Sequence, residues 1–180
     1  MISRKARNRK KVISYVMRLV ALIKPGSLSH FQIKIMRLFV LFASFRRASV
    51  NNVVVKKISL YQLELYRIIP NKISDKLKIL FFHGGGFFVG NFKIYRSYAS
   101  FLAEILGREI IFVEYKLSPE SKFPSQLEDA KKAYSFLLGK KEKSNIILAG
   151  DSAGGNLALA LFLALKKDKS KKPKGIFCIS

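Results

Sequence analysis

Apolar and polar positions follow two rhythms along this chain. Val53 to Leu60 and Gln62 to Ile69 read as the arms of a hairpin, and Pro70 to Lys76 as the loop after it. Leu77 to Phe82, Glu109 to Tyr115 and Asn145 to Ala149 are short, nearly continuous apolar runs. Strands covered on both faces need that composition. Between them lie longer segments with helical spacing. Tyr95 to Leu106 sets Ala99, Leu102, Ala103 and Leu106 on one side and stops at Gly107. Pro124 opens another, with Leu127, Ala130, Ala133, Tyr134, Leu137 and Leu138 inward, and Gly139 ends it. Leu157 to Leu165 is a third, and Lys174 to Ser180 a further apolar strand. Regular strand–helix alternation predicts an α/β protein built on a doubly wound, mostly parallel sheet.

Residues 1–48 are different. A basic start, Arg4 to Lys11, precedes an apolar stretch from Val12 to Ile23 that Arg18 interrupts. That interruption, and the lack of a small-residue cleavage site, argue against a signal peptide. Neither apolar stretch reaches the uncharged length of about 20 residues that a spanning helix needs. Pro25-Gly26 separates it from Phe31 to Phe45, which reads as a helix with a broad apolar face. The segment reads as helices packed on the body of the protein, with a basic amphipathic surface on a membrane as the sharper alternative. The boundary divides a basic helical segment, 1–48, from the remainder, 49–180.

Charge reinforces the division. The chain carries 34 basic and 11 acidic residues, a net charge of +23, and its first acidic residue is Glu64. Such a front attracts nucleic acid or anionic lipid in principle. No helix-turn-helix, zinc-finger or RNP pattern accompanies it, so no nucleic-acid partner is expected. A cytoplasmic protein with an option of peripheral membrane contact fits best. Cys178, the single cysteine, allows no intramolecular disulfide and reads as a small core residue. There is no C-x-x-C and no H-E-x-x-H, so no metal is expected.

The chemistry sits where apolar runs end in glycine. Gly150-Asp151-Ser152-Ala153-Gly154-Gly155 joins the strand Asn145 to Ala149 to the helix from Leu157. Glycines two before and two after a serine let the backbone pass close to itself, so the hydroxyl stands above the sheet at a helix N-terminus. His83-Gly84-Gly85-Gly86 follows the strand Leu77 to Phe82 in the same way. An acyl-transfer site needs amides aimed at a developing oxyanion, and here the expected donors are those of Gly84, Gly85 and Ala153.

Between these lies Tyr115-Lys116-Leu117-Ser118-Pro119-Glu120, followed by Phe123-Pro124 and Asp129. With all three motifs in order, residues 50–180 resemble the hormone-sensitive-lipase-like, HGGG group of α/β-hydrolase esterases. The resemblance implies an α/β-hydrolase fold, C-terminally incomplete, with an N-terminal helical cap over the acyl pocket. It implies Ser152 as nucleophile and His83, Gly84, Gly85 and Ala153 as the oxyanion site. The implied substrate is a small-molecule carboxylic ester of short or medium acyl length, with no cofactor and no metal.

A serine nucleophile also needs a base and an acid to orient it, and in α/β-hydrolases both follow the serine. After Ser152 the chain has one acidic residue, Asp168, in a lysine-rich stretch, and no histidine. The two histidines are His30 and His83. Asp151 is set aside as the triad acid because adjacent side chains diverge at a turn. Glu120 and Asp129 precede the nucleophile and read as braces for nearby loops, and Tyr115 as a packing residue. The expectation is the front part of an esterase, inactive by itself. The rival is a non-catalytic small-molecule-binding or membrane-surface protein on the same scaffold. Oligomeric state is open.

Overall fold

A computed structural model of the protein describes residues 29–44, 52–139, 145–167 and 172–179. The stretch from Arg4 to Gly26, Asp168 and Ser180 lie outside the described residues. The chain divides into two compact units, Met1–Ile35 and Met36–Ser180. The described end of the first opens the helix α1, His30–Ser44. Ser29 and Gln32 form a capping box there. The Gln32 amide donates to Ser29 Oγ at 3.3 Å, and the Ser29 amide donates to Gln32 Oε1 at 2.8 Å.

In the second unit six strands form one sheet. They are β1 (Val53–Leu60), β2 (Leu63–Pro70), β3 (Lys78–Phe82), β4 (Glu109–Glu114), β5 (Ile146–Asp151) and β6 (Gly175–Ile179), in the order β1-β2-β4-β3-β5-β6. The hairpin β1–β2 is antiparallel and pairs antiparallel with β4; β4, β3, β5 and β6 run parallel. The mostly parallel, doubly wound sheet expected from the apolar rhythm is therefore present.

Three helices cross between the parallel strands: α2 (Phe92–Leu106), α3 (Ser125–Leu138) and α4 (Ala153–Lys167). Alternate side chains of each strand point to opposite faces. Ile79 and Phe81 therefore join Ile110, Phe112, Ala149 and Phe92, Ala99 and Ala103 of α2 in one core. Leu80 and Phe82 join Ile111, Val113 and Leu148 in the other, with Ala130, Ala133 and Tyr134 of α3 and Leu157, Ala158 and Leu161 of α4. Two covered faces explain why these strands carry apolar residues at every position.

Three details depart from the pattern-based reading. Helix α2 starts at Phe92 rather than near Tyr95, because Asn91 caps it: its side-chain oxygen accepts from the Ile94 amide at 2.9 Å. Leu106 is exposed, not inward, since it ends the last turn as the chain reverses through left-handed Gly107. Cys178 is exposed rather than a core residue, because β6 has a neighbour on one side only among the described residues.

After β3 the chain moves toward β4, and after β5 it moves toward β6. The connections diverge between β3 and β5, and in open α/β sheets a crevice forms at the carboxyl ends of such a strand pair. Replacing Asn91 by alanine should destabilise the fold by about 1 kcal/mol, while aspartate there should be nearly neutral. A urea titration would show this as a lowered midpoint with an unchanged slope.

Candidate active site

Phe82 and Gly150 are register partners at the carboxyl ends of β3 and β5. Beyond them β3 continues into His83-Gly84-Gly85-Gly86 and β5 into Asp151-Ser152, so the fold brings the two glycine motifs together. Ser152 is exposed and has φ +48, a left-handed conformation that a residue with a Cβ seldom adopts. Its amide donates to the Ile179 carbonyl at 2.7 Å, and its carbonyl accepts from Asn156 at 3.1 Å in the first turn of α4. The turn is tight enough that a Cβ on Gly150 would overlap the Gly154 carbonyl. A Cβ on Gly154 would overlap the backbone oxygen of Phe82. Helix α4 thus starts directly against the loop that leaves β3.

One side chain ties the two loops. Asp151 Oδ1 accepts the Gly84 amide at 2.8 Å, and Asp151 Oδ2 accepts the Tyr95 hydroxyl of α2 at 2.8 Å. The Gly84 amide also lies 3.2 Å from the Tyr95 oxygen. Gly84 therefore uses its N–H inside the protein. Gly85, with φ +114, turns the chain back, and its carbonyl accepts the amides of Phe88 and Val89 at 3.1 and 3.0 Å. The amide of Ala153 opens α4, at the positive end of its dipole.

His83 is fully buried. Its ring stacks on Phe112 at 5.4 Å and 10° and on Tyr115 at 4.3 Å and 12°. Nδ1 lies 2.8 Å from the Gly84 carbonyl, which can only accept, so Nδ1 carries the proton. Nε2 finds no partner among the described residues. Burial pulls this imidazole down to about 4, against the opposing pull of the Gly84 carbonyl and the Asp151 charge. It is neutral at ordinary pH and sealed in an aromatic stack.

The remaining motif residues brace this arrangement. Tyr115 is buried and its hydroxyl donates to the His83 carbonyl at 2.6 Å; burial pushes that phenol upward in pKa. Asp129 accepts the Lys116 amide at 3.0 Å and its ammonium at 3.1 Å. Glu120 pairs with Arg37 of α1 at 2.8 Å. No group of three or more His, Cys, Asp or Glu that could hold a metal occurs among the described residues.

Sequence reasoning missed Asp151, Tyr95 and Arg37 as parts of the site. For Asp151 a signal existed. If adjacent side chains diverge at the turn, the aspartate must face the neighbouring loop, whose glycine amides are the nearest donors. Arg37 and Tyr95 stand in no motif and had no such signal.

Fold and site together define an α/β hydrolase with a strand–serine–helix elbow beside a glycine loop. The chain belongs to the alpha/beta hydrolase fold family, whose model matches residues 79–180, and within that family it is hormone-sensitive-lipase-like. An esterase from Acinetobacter venetianus is 39% identical over 114 residues, covering 62% of this chain and 37% of that protein. Human hormone-sensitive lipase is 37% identical over 120 residues, covering 63% of this chain and 11% of the lipase. The crystal structure of an esterase from the bacterial hormone-sensitive lipase family matches with a TM-score of 0.77 at 26% identity, covering 85% of this chain and 52% of the other. The chain thus spans little more than a third of the Acinetobacter protein and about half of the solved one.

Two outcomes follow from the bonds at this site. Asp151→Ala should destabilise the protein by about 2–3 kcal/mol, because two donors lose a charged acceptor, and Asp151→Asn by less; denaturant midpoints read both. For His83, the folded value of about 4 lies below its ordinary 6.5. The unfolded chain therefore binds more protons between those values. The stabilisation from burying a neutral ring is complete above pH 6.5 and is lost as the pH falls toward 4. Nitrogen-correlated NMR should find the Nδ1–H tautomer intact at pH 5.

Proposed function

We propose that this chain carries the nucleophile and oxyanion side of a carboxylic ester hydrolase acting on small-molecule esters. The observation that carries the proposal is Ser152 in a strained left-handed turn, bonded through its neighbour Asp151 to the glycine loop. Strain at a serine that makes an elbow is expected of a nucleophile and serves no packing purpose.

In this reading Ser152 Oγ attacks the ester carbonyl carbon, and the carbonyl π electrons move onto oxygen. The amides of Gly85 and Ala153 donate to that oxyanion. Gly84 and His83 shape the loop: Gly84 through its bond to Asp151, and His83 through its carbonyl and its stacked ring. Collapse of the intermediate expels the alcohol and leaves an acyl-serine, which water then hydrolyses. Both steps need a base to move a proton. His83 cannot supply it, since its Nδ1–H is donated to Gly84 and its ring is buried between aromatics. His30 precedes the nucleophile in the chain, whereas the base of an α/β-hydrolase triad follows it. In this reading the proton-moving imidazole comes from outside these 180 residues.

Residues 1–48 act in this reading as a cap-like segment. Of its described residues, Arg37 of α1 bonds the loops around Phe88 and Ser118.

The test supplies the missing base. Without added base, the 180-residue protein and its Ser152→Ala variant should hydrolyse p-nitrophenyl acetate at the same negligible rate, because removing a triad base lowers turnover by about 10⁶. With free imidazole in the buffer, wild type should exceed Ser152→Ala by about tenfold or more, drawing on the oxyanion donors that survive loss of a triad member. Equal rates in imidazole would remove the nucleophile from the proposal.

A further inference from the structure

A single guanidinium reaches the glycine loop from outside the sheet. Arg37, on α1, donates through Nε to the Phe88 carbonyl at 2.7 Å. Its Nη2 donates to the Ser118 carbonyl at 2.8 Å. Nη1 and Nη2 grip both carboxylate oxygens of Glu120, at 2.8 and 2.9 Å. Phe88 itself donates to the Gly85 carbonyl, and the Ser118 amide donates to the Phe87 carbonyl at 2.8 Å. Arg37 therefore closes a ring of bonds through the Gly85–Val89 turn and the Ser118–Glu120 turn, which meet at Phe87 and Phe88.

The peptide group that carries the Gly85 N–H has the Gly84 carbonyl at its other end, which accepts from His83 Nδ1 at 2.8 Å. The peptide groups on either side of it are held as well. Asp151 holds the Gly84 amide that precedes it, and the Phe88 and Val89 amides hold the carbonyl that follows. Arg37 holds the far side of that turn through Phe88. We propose that Arg37 is a positioning residue, which keeps the Gly85–Val89 turn in the conformation that aims the Gly85 amide. A planar fork suits this role, since one rigid group meets three acceptors on two segments. A lysine ammonium, a point charge on a flexible stem, cannot meet all three at once. The proposal rests on the reading of Gly85 as an oxyanion donor for its purpose, but its geometry can be measured without substrate.

Hydrogen exchange of the nitrogen-labelled 180-residue protein, followed amide by amide, reads the loop directly. In Arg37→Ala the Phe88 and Val89 amides should exchange about tenfold faster, as expected when charge-assisted bonds that restrain a local opening are lost. The Gly85 amide resonance should move, while the β3 and β5 amides keep wild-type protection. Arg37→Lys should give the same pattern in weaker form, because charge alone does not restore the fork. Wild-type exchange at Phe88 and Val89 in both variants would overturn the proposal. Should Arg37→Ala also loosen β3 and β5, the lysine variant decides: faster loop exchange over intact strands supports the role, and unchanged loop exchange overturns it. A negative result here leaves ester hydrolysis standing, and a failed imidazole rescue leaves this measurement standing.

Discussion

The carboxylate of Asp151 is the constraint on which the rest of the site depends. A sheet can bring two strand ends to adjacent positions, but it does not fix the loops beyond them. Here one charged side chain accepts the first amide of the glycine loop and the hydroxyl of Tyr95. It therefore joins three elements that follow β3, follow β5 and cross between β3 and β4. The carboxylate is only partly buried, so it gains these bonds without the full penalty of desolvation. Because it sits next to Ser152 in the chain, any displacement of the glycine loop is transmitted to the serine.

The sheet supplies the frame for that bond. Both faces are covered, and the strands that end at the site are apolar throughout. His83 extends this order one residue past β3. It leaves the strand still stacked between Phe112 and Tyr115, with its carbonyl held by the Tyr115 hydroxyl. Only after that anchor does the chain become glycine-rich. Rigidity at His83 and freedom at Gly85 are thus adjacent, as a loop requires when its backbone, not its side chains, is to meet a ligand.

Much of this was legible in residue order. The strands fall within two residues of their apolar runs, because a strand covered on both faces leaves no ambiguity of phase. The elbow and the glycine loop were legible because steric need restricts which residues can stand there. What escaped was of two kinds. Helix starts depend on a capping side chain, and Asn91 stands outside the apolar period of α2. Bonds between distant segments leave no periodic trace: Arg37 to Phe88 and Ser118 joins residues 51 and 81 positions apart. The exposure of Cys178 depends on the number of neighbours of β6, which local pattern does not encode.

The backbone at position 152 has a consequence for how this chain can change. Left-handed geometry favours glycine, which adopts it without steric penalty, and tolerates asparagine better than serine. The residue that best fits the turn is therefore not the residue with a hydroxyl to offer. A copy of this chain released from any chemical duty would gain stability by losing its serine, and glycine is the replacement the backbone would favour. The identity of this one residue thus distinguishes a fold kept for reactivity from a fold kept for its shape.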